Sequence, residues 1–160
     1  MNTVTLRNGN PVKQYWDHPD YPFRIFKAHE NAESFGSLVG GDKVKFVAIA
    51  RNGLDTAASF VPFLAQHTAE FRKLWGGFPP HSEEDKAVIQ DLMPGGIFES
   101  RHFGYVNSWW EKKNEDNVLL LHYSDVKRDL PGAVSDLAEF FGVELSPQEM
   151  STVVNKCSFP

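Results

Sequence analysis

Two short apolar runs, each followed by a segment with helical periodicity, constrain the fold of this sequence more than any other feature. The first run is VKFVAIA at residues 44–50, and the second is VLLLHY at residues 118–123. The first run lacks strict alternation of apolar and polar residues, which indicates a strand buried on both faces. Strands that alternate with helices at this spacing suit crossover connections, so we predict an α/β fold with a mainly parallel sheet flanked by helices.

The remaining elements follow from residue periodicity and helix-capping signals. A third, short strand is predicted at residues 23–26, and residues 1–22 are expected to form an irregular arm because they show no sustained period. Asn52 is placed to cap the helix after the first apolar run, and Ser146 with Glu149 forms a capping box for the last one. Helices are predicted from residue 54 onward and at residues 98–110, 134–141 and 147–156. The residues between 124 and 132 are interpreted as a polar linker.

Charge and composition exclude several classes of protein. The net charge is −5 in a chain of 160 residues, which disfavours nucleic-acid binding driven by global positive charge. No apolar run is long enough to cross a bilayer, and the first residues lack the apolar region of a signal peptide. Cys157 is the single cysteine, so an intrachain disulfide is impossible. We therefore expect a cytoplasmic protein without nucleic-acid or membrane partners.

Ligands of such sheets bind beyond the carboxyl ends of the strands, and this position makes Arg51 a candidate binding residue. Arg51 follows the first apolar run and precedes a helix, so its guanidinium and the helical N–H groups can meet at one anion. Ser59 lies eight residues further along, about two helical turns away, and can add a hydroxyl donor. The alternative is a strand-end arginine paired with a carboxylate.

The other two strand ends carry Lys27, His29 and Tyr123. Lys27 and His29 alternate along the chain, so their side chains point to one side, where the imidazole can act as a general base. The alternative is a histidine with a structural role. Tyr123 can present its ring to a nucleotide base or cap the sheet with its hydroxyl. The histidines show no metal-ligand spacing, so no metal site is expected.

Four segments together resemble the later part of the cytosolic sulfotransferases that use 3′-phosphoadenosine 5′-phosphosulfate. The segments are FRIFKAH, VKFVAIARNGLDTAASF, FGYVNSWWEKKNEDNVLLLHYSDVKRDLPGAVSDLAEFFG and VVNKCSF. This resemblance implies a P-loop-like fold that lacks its N-terminal part, with residues 23–160 forming a partial sulfotransferase domain. It also implies transfer of a sulfuryl group from that donor to a small-molecule alcohol, phenol or amine, without a metal.

The resemblance assigns roles to the residues that match the family's motifs. FKAH is similar to the family's Lys-Thr-His, which makes His29 the general base and Lys27 its electrostatic helper. The pattern from Arg51 to Ser59 is similar to the family's 3′-phosphate site. Tyr123 stands where the family has a tyrosine near the adenine. The family's Thr-Ser-Phe beside the nucleotide corresponds to Cys157, Ser158 and Phe159, with cysteine in place of threonine.

Two elements of the family have no match in this sequence. The loop that wraps the 5′-phosphosulfate is expected before Phe23, and the Gly-rich basic loop over the 3′-phosphate is expected after Phe159. We therefore expect half of the donor site here, and an exposed sheet edge that allows oligomerisation. The alternative function is a non-catalytic remnant of the fold that binds a nucleotide or a protein partner.

Overall fold

Two parallel strands and six α-helices form the described part of the chain. The computed structural model describes residues 24–74, 76, 95, 96 and 99–158. In chain order the elements are a 3-10 segment Ala32–Leu38, β1 Phe46–Ala50, α1 Gly53–Ala65, α2 Ala69–Leu74, a π-helical turn Glu99–Phe103, α3 Gly104–Glu111, β2 Val118–His122, α4 Tyr123–Arg128, α5 Leu130–Phe141 and α6 Pro147–Cys157. This order confirms the predicted α/β class.

The two strands are neighbours and run in the same direction. The register pairs Phe46 with Val118 at one end and Ala50 with His122 at the other. A parallel pair requires a crossover connection, and the chain between the strands supplies one that contains α1, α2 and α3. The parallel sheet predicted from the two apolar runs is therefore confirmed, and it places the carboxyl ends of both strands at one edge.

The prediction that β1 is buried on both faces is wrong. Phe46 and Ala48 are buried, whereas Val47 is 36% exposed and Ile49 is 50% exposed. The described aromatic core lies against only one face of the strand, so alternate side chains reach it and the others remain in solvent. The sequence run does not reveal this difference because both faces of β1 carry apolar residues.

The core is built around Trp109, whose side chain is 3% exposed. Its ring centroid lies 5.4 Å from that of Phe46 and 5.9 Å from that of Phe35. These separations are typical of aromatic contacts in protein interiors. The 3-10 segment, β1 and α3 therefore meet at one cluster, which Ala32, Ala48 and Val118 complete.

A buried amide fastens the loop before β1 to the start of β2. Asn117 accepts a hydrogen bond from the N–H of Gly40 at 2.7 Å. Its amide nitrogen donates to the carbonyls of Leu38 and Val44, each at 2.8 Å. Buried polar side chains are costly unless they are hydrogen-bonded, and these three bonds satisfy the amide while fixing how β1 enters the sheet.

Two predicted elements differ from the structure. Residues 24–30 form no regular secondary structure, so the short strand predicted at residues 23–26 is wrong for its described residues. An extended segment becomes a strand only where a neighbouring strand accepts and donates its backbone hydrogen bonds, and no such neighbour lies beside it in the described residues. The linker predicted at residues 124–132 is mostly helical, since residues 124–128 belong to α4 and residues 130–132 begin α5. The six residues of α4 are too few to show a helical period.

The predicted end of α5 and the predicted start of α6 are confirmed, whereas α5 begins at Leu130 and α3 at Gly104, not at the predicted residues 134 and 98. Gly142 adopts a left-handed conformation with φ of 69° after α5, which a residue without a Cβ tolerates best. Ser146 and Glu149 form the predicted capping box at the start of α6. Within the described ranges, no helix has both the length and the apolar character that crossing a membrane requires. The predicted arm, residues 1–22, lies outside the described residues.

Candidate functional site

The register of the sheet brings Arg51 and Tyr123 together. Ala50 and His122 are the last paired residues of the two strands, so the next residue of each strand lies at the same edge. The guanidinium carbon of Arg51 lies 4.6 Å from the centroid of the Tyr123 ring. A cation at that distance from an aromatic face is attracted by the ring quadrupole. Two of the three predicted strand ends therefore form one site.

Ser59 completes this site from the first helix. Nη1 of Arg51 donates a hydrogen bond to the Ser59 Oγ at 2.9 Å. Because the hydroxyl oxygen accepts this bond, its own hydrogen remains available to a further acceptor. The arginine and the serine that were predicted to donate to one anion are therefore in contact, and we call Arg51, Ser59 and Tyr123 the anion cluster.

The first turn of α1 lies beside the anion cluster and is capped as expected. Oδ1 of Asn52 accepts hydrogen bonds from the backbone N–H groups of Leu54 at 2.9 Å and Asp55 at 3.3 Å. The cap satisfies two donors that a helix start leaves without partners inside the helix. It therefore fixes the direction in which the chain leaves β1, immediately after Arg51.

The Arg51 side chain retains unused hydrogen-bonding capacity. Its Nε is buried and has no hydrogen-bond partner in the described part of the chain. No carboxylate of the described residues pairs with its guanidinium, so the alternative of a strand-end ion pair is absent there. A guanidinium has five N–H donors and the bond to Ser59 uses one of them, so donors other than the buried Nε remain for an anion at the anion cluster.

His102 supports the backbone of this site from the π-helical turn. Its ring donates a hydrogen bond to the Arg51 carbonyl, but burial has the larger effect and lowers the pKa of His102 below its usual value. Two ring atoms lie 3.4 Å from the position that a Cβ on Gly53 would occupy. The imidazole therefore packs closely against the junction between β1 and α1.

Tyr105 covers the edge of β1 that faces away from β2. Phe46 directs its N–H to the Asn117 carbonyl on the β2 side, and successive residues of a strand alternate between the two sides. The Ile49 N–H therefore faces outward, where it bonds to the Tyr105 hydroxyl. Burial raises the pKa of Tyr105 despite this hydrogen bond, which lowers it. This contact within the chain does not test the predicted oligomerisation through an exposed sheet edge, which stays a prediction.

Lys27 and His29 do not join the anion cluster through any direct contact in the described residues. Both side chains are exposed, in segment 24–30, which has no regular secondary structure. The pairing of a general base with the anion site thus stays a prediction for these two residues. Among the described residues, no group of three or more His, Cys, Asp or Glu side chains is arranged to hold a metal ion.

The predicted nucleotide contacts near the end of the chain are described only in part. Cys157 is the last residue of α6, and its thiol is free and exposed. Ser158 follows the helix, and its hydroxyl donates to the Asn155 carbonyl at 2.9 Å. No hydrogen bond links either residue to the anion cluster in the described residues, and Phe159 lies outside them.

Sequence reasoning missed two residues beside the anion cluster. The Lys127 ammonium lies 6.0 Å from the centroid of the Tyr123 ring. These residues are four positions apart, so the contact would have been predicted had residues 123–128 been assigned to a helix. His102 has no comparable signal in the sequence, because its contacts with Arg51 and Gly53 cross about fifty residues of chain.

Comparison with known proteins places the chain in a family. Residues 15–160 match the sulfotransferase domain. The chain is 26% identical to sulfotransferase 1B1 of Mus musculus over 136 residues, which are 85% of this chain and 42% of that protein. It is 28% identical to sulfotransferase 1E1 of Cavia porcellus over 139 residues, which are 85% of this chain and 43% of that protein. The chain thus spans less than half the length of these relatives.

Solved structures show the same fold. Mouse sulfotransferase SULT7A1, crystallised with PAP, superimposes with a TM-score of 0.67 at 24% identity, covering 91% of this chain and 49% of that one. Retinol dehydratase, solved with androsterone and the inactive cofactor PAP, gives a TM-score of 0.50 at 27% identity, covering 73% and 32%. The parallel strands, the helices between them and the match over residues 15–160 agree, and this chain belongs to the sulfotransferase domain family.

Proposed function

We propose that this chain forms the part of a sulfotransferase that holds the 3′-phosphate of the donor and presents the general base. The donor would be 3′-phosphoadenosine 5′-phosphosulfate, which supplies the sulfuryl group, and no metal takes part. The acceptor would be a small-molecule alcohol, phenol or amine. Family membership supports this reaction, and two structural relatives were solved with PAP.

The geometry of the anion cluster is the observation that carries the proposal. The Arg51 guanidinium has N–H donors that its bond with Ser59 leaves unused, and Ser59 has a hydroxyl hydrogen that this bond does not use. A phosphate accepts several hydrogen bonds at once and favours a planar guanidinium, so both donors suit one phosphate group. The cluster is already assembled, which lowers the cost of ordering side chains when the ligand binds.

Tyr123 has two tasks in this proposal. Its ring packs against the guanidinium of Arg51 and holds it at the strand end. The half-buried ring would also lie beside the adenine, where an aromatic surface can contact the flat base. We further propose that Cys157, Ser158 and Phe159 approach the nucleotide from the end of α6, as the resemblance of their sequence implies.

His29 and Lys27 would carry out the proton chemistry. In group transfer of this kind the acceptor must lose one proton, and the charge of the moving group must be neutralised. We assign the proton to the His29 imidazole and the stabilising charge to the Lys27 ammonium. The exposed segment that carries them leaves both side chains accessible to an acceptor molecule. The single cysteine supports a reducing compartment, and we place the reaction in the cytoplasm.

The second candidate function is nucleotide binding without transfer. It is favoured by one observation, which is that Lys27 and His29 make no direct contact with the anion cluster in the described residues. In that case Arg51, Ser59 and Tyr123 would bind an adenosine 3′,5′-bisphosphate-like anion, and the exposed histidine would have no chemical role. The two candidates share the binding step and differ only in turnover.

Binding is tested by titrating adenosine 3′,5′-bisphosphate into the protein in a calorimeter. Arg51→Ala is expected to weaken the affinity by about ten- to a hundredfold, because hydrogen bonds to a charged group contribute about 1.5–3 kcal/mol. Arg128→Ala is the matched control, since this exposed arginine pairs with Asp125 on α4. The binding site is misassigned if both variants bind as the unaltered chain does.

Turnover is tested with a labelled sulfate donor and a panel of phenols, alcohols and amines. Where the unaltered chain transfers the label, His29→Ala is expected to abolish transfer while the affinity for adenosine 3′,5′-bisphosphate changes less than about twofold. Nucleotide binding without transfer to any acceptor would favour the second candidate. Transfer that persists in His29→Ala would remove the assignment of the general base.

A further inference from the structure

Helix α3 fastens the chain directly after His29. The indole Nε1 of Trp109 donates a hydrogen bond to the Glu30 carbonyl at 3.2 Å. The Ser108 hydroxyl accepts one from the Ala32 N–H at 3.1 Å and donates to the Tyr105 carbonyl at 2.9 Å. Both bonds to the 30–32 segment link residues more than seventy positions apart, so they are set by the tertiary fold and not by local sequence.

The two α3 side chains of this contact are among the least exposed side chains described. Trp109 is 3% exposed and Ser108 is 5% exposed. A buried indole N–H requires an acceptor, and a buried hydroxyl that both donates and accepts has little freedom to reorient. We call these two hydrogen bonds to Glu30 and Ala32 the α3 anchor.

The α3 anchor is the buried contact nearest to His29 along the chain. Residues 24–30 are exposed and belong to no strand or helix. The α3 anchor begins at the carbonyl of Glu30, one residue after His29, so it is the fixed point from which the His29 backbone extends. In group transfer, a misplacement of about 1 Å in a reacting group can lower the rate a hundredfold.

The same helical segment also holds the anion cluster. His102, in the turn before α3, bonds to the Arg51 carbonyl, and Tyr105 in the first turn of α3 bonds to the Ile49 backbone. One rigid element therefore contacts the strand end that carries Arg51 and, two turns later, the segment that carries His29. A helix of this length changes its end-to-end distance very little.

We infer that Trp109 and Ser108 are positioning residues that set where His29 lies relative to the anion cluster. They do not touch a substrate; they act through the backbone of residues 30–32. This inference rests on the proposed function, which makes His29 the general base. It adds that the spacing between the base and the nucleotide site is set by α3.

Substituting Trp109→Phe tests the anchor while keeping most of the core. Phenylalanine preserves an aromatic ring against Phe35 and Phe46 but removes the N–H that bonds to Glu30. Trp110→Phe is the matched control, because Trp110 is the next residue of α3, is 57% exposed and contacts Lys113. Ser108→Ala is the second variant, since it removes the partner of the Ala32 N–H.

The first readout is amide hydrogen exchange of residues 27–32, which does not depend on activity. Trp109→Phe and Ser108→Ala are expected to speed exchange there about three- to tenfold, while Trp110→Phe leaves it unchanged. The comparison is made at a temperature where every variant remains folded by circular dichroism. Unchanged exchange in both anchor variants would overturn the inference, whether or not the chain transfers sulfate.

The second readout is the single-turnover transfer rate at saturating donor. Trp109→Phe is expected to lower this rate at least tenfold with less than a twofold change in affinity for adenosine 3′,5′-bisphosphate. Faster exchange with an unchanged rate would overturn the positioning role, as would an equal loss of rate and affinity. If the unaltered chain shows no transfer, the proposed function fails, whereas faster exchange in the variants still supports the anchor.

Discussion

Arg51 joins the nearby helix α1 to two parts of the chain that are distant in sequence. Its side chain contacts Ser59 and the ring of Tyr123, and its carbonyl accepts a bond from His102. The two groups that contact its side chain are a hydroxyl and an aromatic face, so they hold the guanidinium without cancelling its charge. This arrangement leaves the positive charge available to an anion, which is what a binding site for phosphate needs.

The lowered pKa of His102 predicts how stability responds to acid. Burial disfavours the charged imidazole, so the folded chain binds a proton less readily than the unfolded chain does. Stability is therefore unaffected above the unfolded pKa, and it decreases as the pH falls through that value toward the folded pKa. The expectation is that His102→Gln loses less thermal stability between pH 7.5 and 5.5 than the unaltered chain.

The measurement is the midpoint of thermal unfolding at several pH values in that range. His67→Gln is a suitable control, because this imidazole is half-buried between Phe63 and Phe71, in the connection from α1 to α2. Equal acid sensitivity of His102→Gln and the unaltered chain would show that His102 does not resist protonation in the folded state.

At the residue scale the sequence predicted the arginine and its serine because their geometry is local. Eight residues separate Arg51 from Ser59, and a strand followed directly by a helix brings them to the same end. The contact with Tyr123 depends on the pairing of Ala50 with His122, and only a parallel sheet in this register produces it. His102 was missed because its partners belong to a distant segment.

Among the elements, α6 has the most complete local start signal. The Ser146 side chain accepts from the Glu149 N–H, and the Glu149 carboxylate accepts from the Ser146 backbone N–H and hydroxyl. These bonds lower the pKa of Glu149, so the stabilisation they give is present above its unfolded pKa and is lost as the pH falls through the folded value.

Ser146→Ala is expected to lower the free energy of unfolding by about 1 kcal/mol at neutral pH, because it removes the helix cap. Ser151→Ala is the control within the same helix, since Ser151 is exposed and alanine favours helix interiors. Both values come from urea denaturation followed by circular dichroism. A loss of equal size in both variants would mean that the cap contributes nothing specific.

Two predictions at the scale of the elements differ from the structure, for different reasons. Helix α4 was not predicted because it is short, and the strand predicted at residues 23–26 has no neighbouring strand among the described residues. Helix α4 has six residues, with Asp125 in its first turn and Lys127 and Arg128 in its last, an order that suits the helix dipole. This order of charges was the sequence signal for a helix at residues 123–128. Six residues are too short for apolar periodicity to add a second signal. Residues 24–30 contain the apolar residues of a strand but have no described strand beside them.

At the scale of the whole molecule, the core lies on one side of the sheet. The Phe46 ring contacts Phe35 and Trp109, whereas Val47 on the opposite face is 36% exposed. This asymmetry predicts different costs for two neighbouring substitutions. Burial is what makes an apolar side chain stabilising, and only one of the two side chains is buried.

Phe46→Ala is expected to lower the free energy of unfolding by about 3–5 kcal/mol, a large fraction of what a domain possesses. Val47→Ala is expected to cost less than about 1 kcal/mol, because its side chain is partly in solvent already. Denaturant titration of both variants measures the difference. Similar losses at the two positions would indicate that the second face of β1 is also packed.

The amino-acid sequence by itself determined the local features of this protein. It determined the parallel class of the sheet, because strands alternate with helices along the chain. It also determined the caps of α1 and α6 and the proximity of Arg51 to Ser59, because these depend on residues within about two helical turns of each other. The tertiary structure alone decided which face of β1 is buried, how Tyr123 and His102 reach Arg51, and where α3 fastens the segment after His29. Those features depend on contacts between residues fifty or more positions apart, and no local pattern encodes which distant partner a side chain meets.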